Sequence, residues 1–334
     1  MTKKIKIAIN GFGRIGRQAF KIALKNKNIE VVAINDLTDN KTLAHLLKYD
    51  TAYPDTNLKI SSNDNFLLVN NKKIPVFAKK DPSKLPWKKL KVDVVIESTG
   101  VFRTEELASL HLKAGAKKVI LSAPAKDDKI KTFVKGINEK DCKKCKIINN
   151  ASCTTNCTAP VMKVLNEKFG VEKAMLTTIH SYTADQKLQD APHKDLRRAR
   201  AAAQNIIPTS TGAAIATTQV IPELENKFDG IAVRVPTISG SLTDITVVLK
   251  KDVTEKQVNN AMIKASKTNL KGILAVTNEP LVSSDFIGNP YSSVVDLSLT
   301  KVMGGNMLKI IAWYDNEFGY ANRLVEMVIE LSKK

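Results

Sequence analysis

Two side chains stand out as equipped for nucleophilic chemistry. Cys153 opens an apolar, helix-like run in Ala151-Ser152-Cys153-Thr154-Thr155-Asn156-Cys157, and His180 ends a strand-like run in Thr177-Thr178-Ile179-His180-Ser181-Tyr182-Thr183. A cysteine in the first turn of a helix sees the positive end of the helix dipole and backbone N–H groups without helical partners. Both favour thiolate over thiol, so Cys153 is expected to act as a nucleophile near neutral pH. Ser152 has the side chain of an N-cap. His180 is the candidate base, because an imidazole beside a thiol can take its proton. Cys157 falls one turn deeper on the same face and reads as buried. Such thiols serve proteases, redox sensors and dehydrogenases alike, so the rest of the chain must decide between them.

Near the N-terminus, Gly11-Phe12-Gly13-Arg14-Ile15-Gly16 lies between a strand pattern at 5–9 and a helix pattern at 14–27. The first glycine permits a tight turn, the second lets backbone approach a pyrophosphate, and the third lets helix pack on strand. Phosphates then rest at the helix N-terminus. Asp36 ends the next strand, 20 residues after Gly16, where a carboxylate binds ribose hydroxyls. A carboxylate there repels a 2′-phosphate, so NAD is expected rather than NADP. Ser98-Thr99-Gly100 and Ser122-Ala123-Pro124 close two later strands at the carboxyl edge of the same sheet, where open parallel sheets bind ligands.

The elements that carry these motifs alternate. Strand patterns at 5–9, 30–35, 92–97 and 118–121 are separated by helix patterns at 14–27 and 103–114, with short strands at 57–60, 66–69 and 74–78. This rhythm predicts an α/β doubly wound parallel (Rossmann) sheet. From Cys153 the pattern changes to a helix reaching 169, in which Pro160 should kink or divide the run. A strand at 173–180, a long loop at 181–208, alternating strands at 231–235 and 242–249, a helix at 254–267 and strands near 294–299 and 307–314 follow. These predict a second α+β domain with a mostly antiparallel sheet. We therefore expect a nucleotide-binding domain over 1–152, completed by the C-terminal helix 317–334, and a catalytic domain over 153–316. A loop of about 28 residues is too long to be idle in a compact domain.

Composition narrows the function classes. The chain has 334 residues, 43% of them hydrophobic, and no apolar run long enough to cross a bilayer. It begins without the apolar stretch of a signal peptide, so a cytoplasmic location and reduced cysteines are expected. Cys142 and Cys145 form a Cys-Lys-Lys-Cys spacing with no second Cys or His pair, which argues against a metal site. The net charge of +19 raises nucleic acid as a partner. However, 44 lysines are scattered singly or in pairs and aromatics are only 5%, so such binding is at most secondary. The eight arginines are more informative, since planar, bidentate anion recognition favours them over lysine.

Taken together, Gly11–Gly16, Asn35-Asp36-Leu37, Ser98–Gly100, Ser152–Cys157, His180–Thr183, Pro208–Ala213, Arg234–Thr237 and Trp313–Tyr320 resemble phosphorylating, glycolytic glyceraldehyde-3-phosphate dehydrogenases, in order and over most of the chain. The resemblance implies oxidative phosphorylation of D-glyceraldehyde 3-phosphate with NAD and inorganic phosphate, through a Cys153 hemithioacetal and thioester. It implies that Thr183, Arg198 and Arg234 hold the substrate phosphate, although Arg197 or Arg200 could serve in place of Arg198. Ser152, Thr154, Thr211 and Gly212 would hold the attacking phosphate. Gly11, Gly13, Arg14, Ile15, Gly16, Asp36, Lys80, Ser98, Thr99, Gly100 and Ser122 would contact NAD, Asn316 would orient the nicotinamide amide, and Tyr320 would pack nearby. A homotetramer is implied. An erythrose-4-phosphate dehydrogenase is the alternative enzyme reading. The chain departs from the family pattern at Tyr53-Pro54-Asp55, at the polar Ser239–Thr243 stretch, and at Ala191-Pro192, which gives a mixed cofactor signal.

Overall fold

A computed structural model of the chain describes residues 4–54 and 57–333. Asp55, part of one departure noted above, lies outside the described residues. The chain divides into two compact units. The first comprises residues 1–133, 138–151 and 321–334, and the second 134–137 and 152–320. Ser152 thus falls in the second unit, and the C-terminal return to the first begins at Ala321 rather than at Glu317.

The first unit runs β1 (Ile5–Asn10), α1 (Arg14–Lys25), β2 (Ile29–Asn35), α2 (Asn40–Lys48), β3 (Ile60–Ser62), β4 (Phe66–Val69), β5 (Lys72–Phe77), α3 (Trp87–Leu90), β6 (Val94–Glu97), α4 (Glu105–Lys113), β7 (Lys118–Leu121) and β8 (Ile147–Asn149). Its sheet has the order β3-β4-β5-β2-β1-β6-β7-β8. The strands from β5 to β8 in that order are all parallel, and β3 and β4 extend the edge antiparallel. Period-two alternation sorts the central strands onto two buried faces. Ile7, Ile9, Val94 and Ile96 pack with Phe20 and Leu47 on one side, while Ala8, Val95, Val119 and Leu121 pack with Trp87 and Ala108 on the other. A parallel sheet needs cover on both faces, and the buried residues on each side of this one show that it has it, so this is the expected Rossmann architecture. The β4–β5 turn places Asn70 and Asn71 at φ 49° and 66°, the left-handed pair of a two-residue hairpin.

The second unit runs α5 (Cys153–Phe169), β9 (Val171–Ser181), β10 (Ile207–Ser210), α6 (Ala213–Val220), β11 (Phe228–Val235), β12 (Ser241–Leu249), α7 (Glu255–Lys267), β13 (Leu274–Thr277), β14 (Ser293–Met303) and β15 (Met307–Tyr314). Its order is β10-β11-β9-β12-β15-β14-β13, antiparallel except for β11–β9 and β14–β13. The expected mostly antiparallel α+β domain is present. The final helix, α8 (Phe318–Ser332), supplies Leu324, Val328 and Leu331 to the core of the first unit. Each such fully buried aliphatic contributes on the order of 1.5–3 kcal/mol.

Pro160 lies inside α5 and does not divide it, the helix being a single element from Cys153 to Phe169. Proline forfeits one backbone hydrogen bond, but Thr154–Met162 are all buried, and packing of that length outweighs a loss of about 3 kcal/mol.

Candidate active site

The cofactor motifs sit where the topology of the first unit requires. Gly11 follows β1, Asp36 follows β2, Ser98–Gly100 follow β6 and Ser122 follows β7, all at carboxyl ends of parallel strands. Gly11 has φ +90°, and a Cβ there would lie 2.7 Å from the Thr99 nitrogen; one on Gly16 would lie 2.1 Å from the Gly11 carbonyl oxygen. Only glycine fits either position. Gly13 starts α1 with no capping side chain, and a Cβ there would meet nothing within 4 Å, so the helix's positive end is open to an anion. Asp36 does not cap the next helix, because Asp39 does so by accepting from the Thr42 N–H. Instead the Asp36 carboxylate accepts from the Phe12 N–H at 2.7 Å and the Thr38 N–H at 2.9 Å, which ties it to the glycine loop. Each oxygen keeps a lone pair for a ribose hydroxyl. A cavity of about 530 Å³ is lined by residues 37–41, 62–64 and 76–78, which follow Asp36 in the chain or face that segment. Lys80, Thr99 and Gly100 are exposed, and Ser98 and Ser122 are half-buried. Arg14, half-buried at the start of α1, pairs with the buried Asp50 at 2.9 Å, and Ile15 is half-buried beside it. These residues fit a dinucleotide.

The catalytic pair lies wholly in the second unit. Ser152 caps α5, its hydroxyl accepting from the Thr155 N–H at 3.1 Å, so Cys153 is the first helical residue. His180 comes from the end of β9, and its Nε2 lies 3.4 Å from Cys153 Sγ. Strand register brings Arg234 of β11 directly beside His180. Arg234 Nη1 is 2.9 Å from both His180 Nδ1 and the Ser181 carbonyl. The shorter contact, 2.7 Å from Nδ1 to that carbonyl, assigns Nδ1 the proton and turns the Nε2 lone pair toward the thiol.

Electrostatics correct the simplest sequence reading of the thiol. Cys153 keeps some accessible surface, but protein surrounds its sulfur, and burial is the largest influence and raises its pKa. Arg234, the Thr154 hydroxyl and the Thr154 and Cys153 N–H groups pull the other way. Burial and then Arg234 push His180 down to about 3. A lone thiolate or a lone imidazolium is therefore disfavoured, and the helix start alone does not make Cys153 a thiolate. Moving the proton from Sγ to Nε2 creates opposite charges at hydrogen-bond distance, and their attraction offsets part of the cost of burying each.

Behind the pair is a residue the sequence reading did not single out. Tyr314 Oη, fully buried, is 2.8 Å from Thr154 Oγ1 and 3.0 Å from Thr178 Oγ1. Thr178 donates onward to the Leu242 carbonyl. The Tyr314 ring meets that of His180 edge-on, with centroids 6.0 Å apart. Burial holds its phenol far above the usual range, so it stays neutral and serves to position Thr154 and His180. Only the pairing of β15 with β12, a register invisible in composition, brings it there.

The anion groups fall into two sets. Arg234 is largely buried, and its Nε has no partner among the described residues, an orphaned charged donor suited to a phosphate oxygen. Thr183 is half-buried at the start of the long loop, its N–H donating to Gln186 Oε1. Arg198 turns inward and donates to Thr209 Oγ1 and the Ser210 carbonyl, and it pairs with Asp185. Arg200 instead pairs with exposed Asp190, and Arg197 is exposed. Thr211 and Gly212 form the open N-terminus of α6, and Thr211 Oγ1 accepts from the Ala213 N–H. Ser152 and Thr154 flank Cys153, with the Thr154 hydroxyl turned to Tyr314.

Asn316 is held firmly, its Oδ1 accepting from the Ser181 and Ser241 hydroxyls at 2.9 Å each, which directs its amide NH₂ away from them. Tyr320 is buried in the first turn of α8. The polar Ser239–Thr243 stretch has an internal explanation. Ser239 donates to Asp315, Ser241 to Asn316 and Thr243 to the Ala312 carbonyl, so all three support the site from within. Cys157, packed against Thr243 and Ser293, has its thiol pushed up to about 12 by burial and is inert at neutral pH.

A dinucleotide-binding sheet joined in one chain to a cysteine–histidine pair flanked by anion donors defines a thiol-dependent aldehyde dehydrogenase. Residues 5–105 match the NAD binding domain of glyceraldehyde 3-phosphate dehydrogenase and residues 152–316 its C-terminal domain. The chain belongs to the glyceraldehyde-3-phosphate dehydrogenase family. It is 56% identical to glyceraldehyde-3-phosphate dehydrogenase 1 of Bacillus cereus over 331 residues, covering 98% of this chain and 99% of that protein. It is 57% identical to the Thermotoga maritima enzyme over 331 residues, with the same coverages. With the Geobacillus stearothermophilus enzyme it shares 54% over 332 residues, 99% of each chain. These relatives do not favour the erythrose-4-phosphate alternative.

Proposed function

We propose that the chain oxidises D-glyceraldehyde 3-phosphate with NAD and inorganic phosphate, giving 1,3-bisphosphoglycerate and NADH in glycolysis. The observation that carries this reading is Cys153 Sγ, 3.4 Å from His180 Nε2 at the start of a capped helix, with a buried arginine behind it. Sγ attacks the aldehyde carbon as His180 Nε2 takes the thiol proton; the imidazolium then returns that proton to the resulting alkoxide, giving a neutral hemithioacetal and a free Nε2. The Cys153 N–H and the His180 ring stabilise the developing oxyanion. NAD, when bound, would supply the hydride acceptor for that carbon, and the acyl group left on Cys153 would be an S–C(=O) thioester. His180, acting as base, takes the hemithioacetal hydroxyl proton as the hydride departs. An oxygen of inorganic phosphate then attacks the thioester, the C–S bond breaks as His180 Nε2 returns its proton to Sγ, and the acyl phosphate departs, leaving the Cys153 thiol. Arg234, Thr183 and Arg198 hold the substrate phosphate, and Ser152, Thr154, Thr211 and Gly212 hold the attacking one. Asn316, its carbonyl already committed to two serines, offers its NH₂ to the nicotinamide amide. NADH formation from the aldehyde should depend strictly on added phosphate beyond the first turnover; sustained turnover without phosphate would overturn the phosphorolytic assignment.

Two variants test the binding roles. Arg234→Lys keeps a charge but loses the planar fork, and should raise the KM for the aldehyde phosphate about 10- to 100-fold, the value of a charge-assisted hydrogen bond or two. Asp36→Asn keeps an acceptor for the Phe12 N–H but removes the negative charge. The NADP-to-NAD ratio of kcat/KM should rise about tenfold or more, since like-charge contact costs several kcal/mol.

The assembly we propose is a homotetramer in the cytoplasm, where the reduced thiol this chemistry needs persists. Leu188, Leu196 and Ile206 in the long loop are 79%, 80% and 72% exposed, and Met175 and Ile231 lie exposed on the open face of the second sheet. Apolar surface of that extent argues for a covering subunit. Sedimentation velocity should give four times the chain mass, and a monomer at micromolar concentration would remove the proposal. Among the described residues no helix is long and apolar enough to cross a membrane.

A further inference from the structure

The register of the first sheet puts three polar side chains in a row at its carboxyl edge. Asn10 pairs with Asn35 across β1–β2 and with Glu97 across β1–β6. Asn35 Nδ2 donates to Asn10 Oδ1 at 2.7 Å, and Asn10 Nδ2 donates to Glu97 Oε2 at 2.5 Å. His111 of α4 donates from Nε2 to the same carboxylate oxygen at 3.0 Å. Its tautomer is set by Trp87 of α3, whose indole Nε1–H donates to His111 Nδ1 at 3.1 Å. All five residues are 4% exposed or less.

A buried row of this kind is costly unless every member is satisfied, and apolar residues like the neighbouring Ile9 and Val95 would fill the space at less cost. Its two ends show what it holds. At one end Glu97 Oε1 accepts from the Thr99 N–H at 2.8 Å and the Thr99 hydroxyl at 2.5 Å. Thr99 is the residue against which Gly11 closes, its nitrogen 2.7 Å from where a Gly11 Cβ would be. At the other end the Asn35 amide accepts from the Lys79 N–H at 2.9 Å and donates to the Lys79 carbonyl at 3.0 Å, fixing the backbone next to Lys80. With four donors on Glu97, neither oxygen is left to bind a ligand directly; the carboxylate acts by holding other groups.

We propose that Glu97, with Asn10, Asn35, His111 and Trp87, forms a positioning network that sets the spacing between the Thr99 and Lys79–Lys80 rims of the NAD cleft before NAD binds. This rests on the NAD site described above. Loosening the row leaves the fold intact but lets both rims drift, so binding must then order them.

The test uses the full-length protein, with NAD affinity measured by titration calorimetry at a temperature where every variant is folded. Glu97→Gln places an NH₂ against donors and should weaken the NAD Kd about tenfold, while Trp87→Phe keeps the ring, frees the His111 tautomer and should weaken it about threefold. In the NAD-free protein, the Thr99 and Lys79 amides should exchange with deuterium faster in both variants, while those of β1 and β6 keep their protection. A role confined to stability would lower the melting temperature and leave the Kd of folded protein within about twofold of wild type, which would overturn the proposal. Should Glu97→Gln not fold, Trp87→Phe alone decides by the same criterion. Absence of NAD binding by the wild type would instead remove the cofactor reading itself.

Discussion

Cys153→Ser is expected to lower phosphate-dependent NADH formation by about 10⁴-fold or more, while the protein folds and binds NAD as before. The substitution is nearly isosteric and leaves the Ser152 cap and the α5 packing in place. What changes is the acid and the leaving group. A serine hydroxyl gives up its proton far less readily than a thiol, and the site that raises the Cys153 pKa by burial would penalise an alkoxide more strongly still. His180, itself pushed down to about 3, is too weak a base to offset that difference. Any ester formed would also be a poorer acyl donor than a thioester, so both halves of the reaction slow. Steady-state NADH formation with and without phosphate, beside NAD titration of the same protein, separates loss of chemistry from loss of fold. Activity within tenfold of wild type would leave Cys153 without its role.

How much of this was legible in the sequence depended on how local each feature is. The glycine loop, Asp36 and the Ser152–Cys153 helix start are set by residues adjacent in the chain, and they occupy the positions their spacing suggests. The α2 helix has no counterpart among the expected elements, although its Asp39 cap and the spacing of Leu43, Ala44 and Leu47 on its buried face are local signals. Register was not legible. Arg234 reaches His180, and Asn10 reaches Asn35 and Glu97, only because strands distant in sequence align residue for residue. What distinguishes Arg198 from Arg200 was likewise not local: the partners of Arg198 include Thr209 and Ser210 on the β10 edge, whereas Arg200 pairs with Asp190. Burial around Cys153 was the least legible quantity. A helix terminus can be read from a cap and a pattern, whereas desolvation of a sulfur sums over neighbours from several elements, and here it is the larger influence.

That balance makes His180 the second decisive residue. His180→Asn should lower kcat by about 10²- to 10⁴-fold, the range for removing a general base, with a smaller change in KM. Asparagine keeps a polar side chain of similar reach but cannot take the thiol proton, and a thiol whose pKa is raised by burial then has no internal acceptor. Alkylation of Cys153 by iodoacetamide at pH 7 should slow by about tenfold or more, and its pH profile should move to higher pH. Acid stability should respond as well. The unfolded chain protonates this histidine near pH 6.5, whereas in the folded protein it stays neutral until about 3. The unfolded state therefore binds the extra proton in between, so the stability associated with His180 is full above pH 6.5 and is lost as pH falls toward 3. His180→Asn removes that proton uptake and should flatten this part of the acid limb in urea titrations at pH 4–7. An alkylation profile identical to wild type would mean that the 3.4 Å contact between Nε2 and Sγ does not govern the thiol's proton.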